Sequence, residues 1–124
     1  MFVYGTLLPG QPNWPVMAPF AVDSGVADSA PGRLFDTGYG WPAAVFDANR
    51  ANGRVVGRVI ELRVGLLDAA LAVLDEFEGI HEGAYIRIEI ATDGGRTAWA
   101  YHSAAPGDAH PIPAGDWAAY VAGS

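Results

Sequence analysis

Glu78 is the residue of this chain best spaced for acid–base chemistry. It follows Leu67, Ala70, Leu71 and Leu74, which recur as an amphipathic helix requires. At about 100° per residue, with Leu71 as origin, Leu67 falls at about −40°, Leu74 at about −60° and Glu78 at about −20°. Glu78 is therefore expected inward, with the leucines. Glu76 falls on the solvent side at about 140°, and Asp75 at the margin near about 40°. An inward carboxyl is costly to ionise without partners, so its pKa rises toward the range a general base needs near neutrality. Periodicity also allows a helix-end carboxylate that curls out to water or bonds a loop, and it leaves that alternative open.

The second candidate is Tyr4-Gly5-Thr6-Leu7, after a short run of strand formers. A glycine there lets the backbone approach a ligand closely, and successive N–H groups can form an anion nest. An ordinary turn is the other reading. A phosphate-binding loop is excluded, since that needs more glycines and a lysine, and the chain has no Lys. His81, His102 and His110 show no paired metal spacing, and no metal site is expected. Ser24, Ser29, Ser103 and Ser124 lack the Gly-x-Ser-x-Gly elbow of serine hydrolases. With Cys at 0, disulfides, thiol nucleophiles and cysteine metal sites are also out. Trp41, between Gly40 and Pro42, is a candidate for a cleft mouth or for plain structural cover.

Composition sets the frame for these residues. At 124 residues, 51% apolar and 17% charged, the chain is sized for one domain (1–124) with a real core. A net charge of −7 argues against nucleic acid or an anionic membrane as partner, and the carboxylates other than Glu78 are read as solvated surface. The start Met1-Phe2-Val3-Tyr4-Gly5 has no basic, apolar leader pattern, and no stretch approaches a membrane span, so a cytoplasmic location is expected.

The elements that must carry the site are short. Strands are expected at Phe2–Tyr4, Ala21–Ala27, Gly32–Phe35 and Val55–Leu62, with Ala30-Pro31-Gly32 as a break. Four prolines between residues 7 and 19 argue against a long element there. One helix is expected over Gly65–Glu78, stopped by Gly79. A hairpin follows, Tyr85–Ile90 and Thr97–His102 around Asp93-Gly94-Gly95. After Pro106 the pattern gives loop, then a short terminal turn around Trp117 and Tyr120. The sum is an α+β fold: a mainly antiparallel, barrel-like sheet with one principal helix.

Several segments together resemble the γ-glutamyl cyclotransferase-like proteins, in particular the γ-glutamylamine cyclotransferase and AIG2-like branch. They are Phe2 to Asn13, Trp41-Pro42-Ala43-Ala44-Val45, Val56 to Leu62, and Leu74-Asp75-Glu76-Phe77-Glu78-Gly79 followed by Tyr85-Ile86-Arg87. Gly115-Asp116-Trp117 is similar to a late segment of bacterial relatives. The resemblance implies cyclisation of a γ-glutamyl group to 5-oxoproline with release of an amine or amino acid. It implies Glu78 as acid/base, Tyr4, Gly5, Thr6 and Leu7 as the substrate cradle, and Tyr85 as a pocket tyrosine. The partner would be a small molecule, with no cofactor, and the nucleophile would be the substrate's own amine. Leu8-Pro9 and Trp14 depart from the relatives' Arg or Lys and His, at positions expected beside the pocket. The rival reading is a non-catalytic small-ligand or protein-binding domain on the same fold. A hydrolase pairing Asp75 with Glu78 is disfavoured, since the wheel separates them by about 60°.

Overall fold

The computed structural model describes residues 1–79, 83, 85–103 and 105–123; His81 and Ser124, considered above, lie outside them. The fold is mixed α+β with mostly antiparallel sheets. In chain order the strands are β1 (Phe2–Val3), β2 (Val26–Asp36), β3 (Pro42–Phe46), β4 (Arg54–Val59), β5 (Ile86–Ala91), β6 (Thr97–His102) and β7 (His110–Ile112). The helices are α1 (Trp14–Met17), α2 (Leu67–Phe77) and α3 (Trp117–Ala122), with a 3-10 turn at Ala18–Phe20. One sheet runs β1-β4-β2-β3 with β7 also on β2, and β5-β6 form a separate hairpin. That hairpin leans on the larger sheet: Ser103 N–H donates to Ala44 O at 2.9 Å and Phe46 N–H to His102 Nδ1 at 3.1 Å.

β1 divides the core by simple alternation. Met1 and Val3 pack with Leu74, Ile60, Tyr85 and Tyr101 on the α2 side. Phe2 and Tyr4 pack with Leu34, Val55, Ala100 and Trp117 on the other. Gly57 follows from this packing: a Cβ there would meet Val3 O and, at 2.8 Å, the Phe2 ring.

The expected break at Pro31 does not occur. A single strand runs through it, because this is where β2 exchanges partners. Val26 to Pro31 pair with β4, and Gly32 to Asp36 pair with β3. The proline's missing donor falls at that exchange, and Gly32 N–H resumes by donating to Gly53 O at 3.3 Å. Ala21, expected in a strand, makes only an isolated bridge to Leu62. The tail holds a strand that the pattern hid: β7 contains Pro111 and lies at an edge, where a proline is tolerated. The terminal turn is the helix α3, capped by Asp116, whose side chain accepts from Ala119 N–H at 3.1 Å.

Helix α2 begins two residues later than expected, at Leu67, which is itself exposed. Its buried face is Ala70 and Leu74. The helix ends at Phe77, with Glu78 as C-cap, its N–H donating to Leu74 O at 2.9 Å. Gly79 then takes φ +70°, the left-handed turn that glycine makes at little cost.

Candidate active site

The end of α2, the segment after β1 and the start of β3 enclose a cavity of about 370 Å³. Tyr4, Gly5, Thr6, Leu7, Glu78 and Tyr85 all line it, together with Asn13, Trp41, Pro42, Phe77 and Tyr101. The sequence-based candidates thus share one space, although Glu78 and the Tyr4–Leu7 segment lie far apart in the chain.

The Glu78 carboxylate has no hydrogen-bond or ion-pair partner among the described residues. Burial pushes its pKa from 4.5 up to about 7. Three tyrosines surround it, and each hydroxyl is committed elsewhere. Tyr4 OH donates to Tyr101 O at 2.6 Å, Tyr85 OH to Pro42 O at 2.7 Å and Tyr101 OH to Asp75 Oδ1 at 2.8 Å. Burial first, and the Glu78 charge after it, raise the Tyr4 and Tyr85 pKa values. Tyr101 is raised by burial, then by its bond to Asp75. The tyrosines are therefore neutral walls.

In the lining of the same cavity, the N–H groups of Gly5, Thr6 and Leu7 donate to no acceptor among the described residues. The segment is held in shape by its carbonyls instead: Leu8 N–H donates to Gly5 O at 3.1 Å and Asn13 N–H to Thr6 O at 2.9 Å. Gly5 is required by a close approach, since a Cβ there would lie 2.6 Å from Pro42 Cγ. Pro42 is thus wedged between Gly5 and the Tyr85 hydroxyl.

Asp75 does not join Glu78. It pairs with Arg87 through two bonds, at 2.9 and 3.2 Å, besides accepting from Tyr101, and it does not line the cavity. The expectation that all carboxylates except Glu78 are solvated surface is therefore corrected for Asp75. It is also corrected for Asp28, whose side chain is 3% exposed and ties β2 to Thr92, Gly94 and Arg96 of the hairpin turn. Of the departures from the resembling family, Leu8 and Trp14 adjoin the lining residues Leu7 and Asn13 in the chain, but Leu8 is buried in the core and Trp14 packs against it, so neither lines the cavity itself. Tyr101 was missed because nothing in its own strand marks it. Asn13 belongs to the N-terminal motif, and its place there was the signal that could have found it.

No group of three or more His, Asp or Glu among the described residues is set to hold a metal ion. The family model for γ-glutamyl cyclotransferase, AIG2-like, matches residues 1–119. The chain belongs to this family. Membership supports an enzyme acting on a small molecule. No curated protein matches the chain. Among solved structures, this AIG2-like chain is similar to the uncharacterized protein PH0828 from Pyrococcus horikoshii, with TM-score 0.69, 20% identity and coverage of 99% of this chain and 92% of that one. It is also similar to YkqA from Bacillus subtilis, with TM-score 0.71 and 26% identity; 97% of this chain is covered, but only 39% of YkqA. The first likeness bears on fold alone. No helix among the described residues is long and apolar enough to cross a membrane.

Proposed function

We propose that the protein is a γ-glutamyl cyclotransferase that converts a γ-glutamyl amide to 5-oxoproline and a free amine, with Glu78 as general acid/base. The observation that carries this reading is a partnerless carboxylate, held near pKa 7, facing the same cavity as three successive partnerless N–H groups. Tyr4, Gly5, Thr6 and Leu7 would cradle the substrate, their N–H groups receiving its α-carboxylate, and Tyr85 would wall the pocket. That grip folds the glutamyl chain so that its α-nitrogen sits over its own γ-carbonyl carbon, which removes much of the entropic barrier.

Ionised Glu78 takes one proton from the α-ammonium. The freed amine attacks the γ-carbon, forming the ring C–N bond. As the old γ-amide C–N bond breaks, Glu78 returns its proton to the leaving nitrogen. The second proton of the ring nitrogen follows the same path, so the leaving group departs as an ammonium and no water is consumed. Acid–base help of this kind contributes about 10²–10⁴-fold, or about 3–5 kcal/mol of barrier. The cavity lies within the size range of small-molecule sites.

The test is incubation of the protein with γ-glutamyl amino acids, ε-(γ-glutamyl)lysine, glutathione and simple γ-glutamyl amides, with 5-oxoproline as readout. Release that disappears in Glu78→Gln is expected. No release from any of them, or full activity in that variant, overturns the mechanism.

A further inference from the structure

Beside the cavity lies a second, more open recess of about 460 Å³, and Trp41 and Tyr85 line both. Tyr39 and Trp41 stand at this junction with ring centroids 5.8 Å apart and planes at 29°. They remain 77% and 47% exposed, a paired aromatic surface beside the cavity. Thr37 Oγ1 donates to Trp41 O at 2.6 Å, Tyr39 N–H donates back to Thr37 Oγ1 at 3.3 Å, and Gly38 N–H donates to Asp36 Oδ1 at 2.8 Å. Asp36 is fastened in turn by the Tyr120 hydroxyl at 2.6 Å. A locked loop that offers two aromatic faces to solvent is a preorganised stacking surface.

Charge narrows what it would hold. Among the described residues no arginine lines either space, and the recess carries Asp108. A leaving group with its own carboxylate would find no counter-charge there, and would meet a chain of net charge −7. We propose that Tyr39 and Trp41 form the leaving-group subsite, and that the preferred substrates are γ-glutamyl amides of arylalkyl amines without a carboxylate. This rests on the cyclotransferase reading: with the glutamyl part over Glu78, the scissile nitrogen's substituent exits past Trp41 into the recess.

The experiment compares kcat/KM for γ-glutamyl-2-phenylethylamide, γ-glutamylethylamide and γ-glutamylphenylalanine. Aromatic stacking predicts a preference of about tenfold for the phenylethylamide over the ethylamide, with γ-glutamylphenylalanine below the phenylethylamide. In Tyr39→Ala the ratio of the first two falls toward one, while the melting temperature stays within the scatter of surface substitutions. As a reading independent of turnover, 2-phenylethylamine quenches tryptophan fluorescence in the parent protein and not in Trp41→Phe. Equal kcat/KM for the two amides, or a ratio unmoved by Tyr39→Ala, overturns this inference alone. Release of 5-oxoproline from none of the three overturns this inference, and overturns the cyclotransferase reading with it when ε-(γ-glutamyl)lysine, glutathione and the other γ-glutamyl compounds also release none.

Discussion

Replacing Glu78 with Gln should make the protein more stable at neutral pH while removing its activity. A carboxyl whose folded pKa stands at about 7 against 4.5 in water is disfavoured as an anion by the fold. Below pH 4.5 the group is neutral in both folded and unfolded chains and costs nothing extra. Between 4.5 and about 7 the unfolded chain ionises first, and folded stability falls as pH rises. Above about 7 the full penalty is in place, at most about 3 kcal/mol from the size of the shift. Because Glu78 is only half-buried, about 1–3 kcal/mol is the range to expect.

The assay is thermal unfolding of both proteins at half-unit steps from about pH 4 to 8, a span that brackets the window. The glutamine amide has a burial cost of its own, so the diagnostic is how the stability difference changes with pH. The difference should be flat at the acid end, grow through the window and level off, reaching about 3–10 °C in melting temperature. His102 has a pKa lowered by burial and loses stability as pH falls, and the Met1 ammonium is shifted down too. Both are present in the two proteins and cancel. A difference that stays constant across the whole span would mean Glu78 titrates like a surface carboxylate. Glu78 would then be no base poised near neutral pH.

Other outcomes follow from the same geometry. The catalytic efficiency of 5-oxoproline release should rise with pH through about 7 as Glu78 ionises, and a profile already flat from about pH 5 would contradict its role as base. Gly5→Ala drives a methyl into Pro42 and should cost about 1–3 kcal/mol by thermal unfolding, with a loss of turnover larger than the loss of fold. Asp28→Ala strips the hairpin turn of its acceptor from Thr92, Gly94 and Arg96, and should destabilise by about 2–4 kcal/mol while substrate affinity is unchanged. Tyr101→Phe removes one bond to Asp75 and should cost about 1 kcal/mol while retaining activity, since the hydroxyl is turned to Asp75.

Local pattern made some of this legible and hid the rest. The hairpin was readable because Asp93-Gly94 sits between two alternating runs, and the helix because its leucines keep a helical period. Glu78 was readable for the same reason, one turn beyond Leu74. Strand β2 was misread because Pro31 signals a break to any local rule, whereas the change of pairing partner at that residue exists only in three dimensions. Strand β7 was lost to Pro111 in the same way. Asp28 and Asp75 looked like solvated charges because their partners, Thr92 and Tyr101, are distant in the chain. A carboxylate's neighbours one helical turn away are visible in sequence, and those across a fold are not.

The arrangement around Glu78 has an internal logic. A tyrosine hydroxyl donated to this carboxylate would stabilise the anion and draw its pKa back toward 4.5, ending its use as a base near neutrality. The fold instead commits the three tyrosine hydroxyls to a backbone carbonyl or to Asp75. Arg87, the next arginine along the chain, is neutralised by Asp75. Asp75 therefore bears on the site without lining it: it holds the hydroxyl of Tyr101, a cavity residue whose release toward Glu78 would lower the Glu78 pKa. Asp75→Ala, which leaves the Tyr101 hydroxyl without its acceptor, should shift the ascending limb of the pH–rate profile to lower pH even though the residue does not line the cavity. A limb that stays in place would show that burial alone sets the Glu78 pKa.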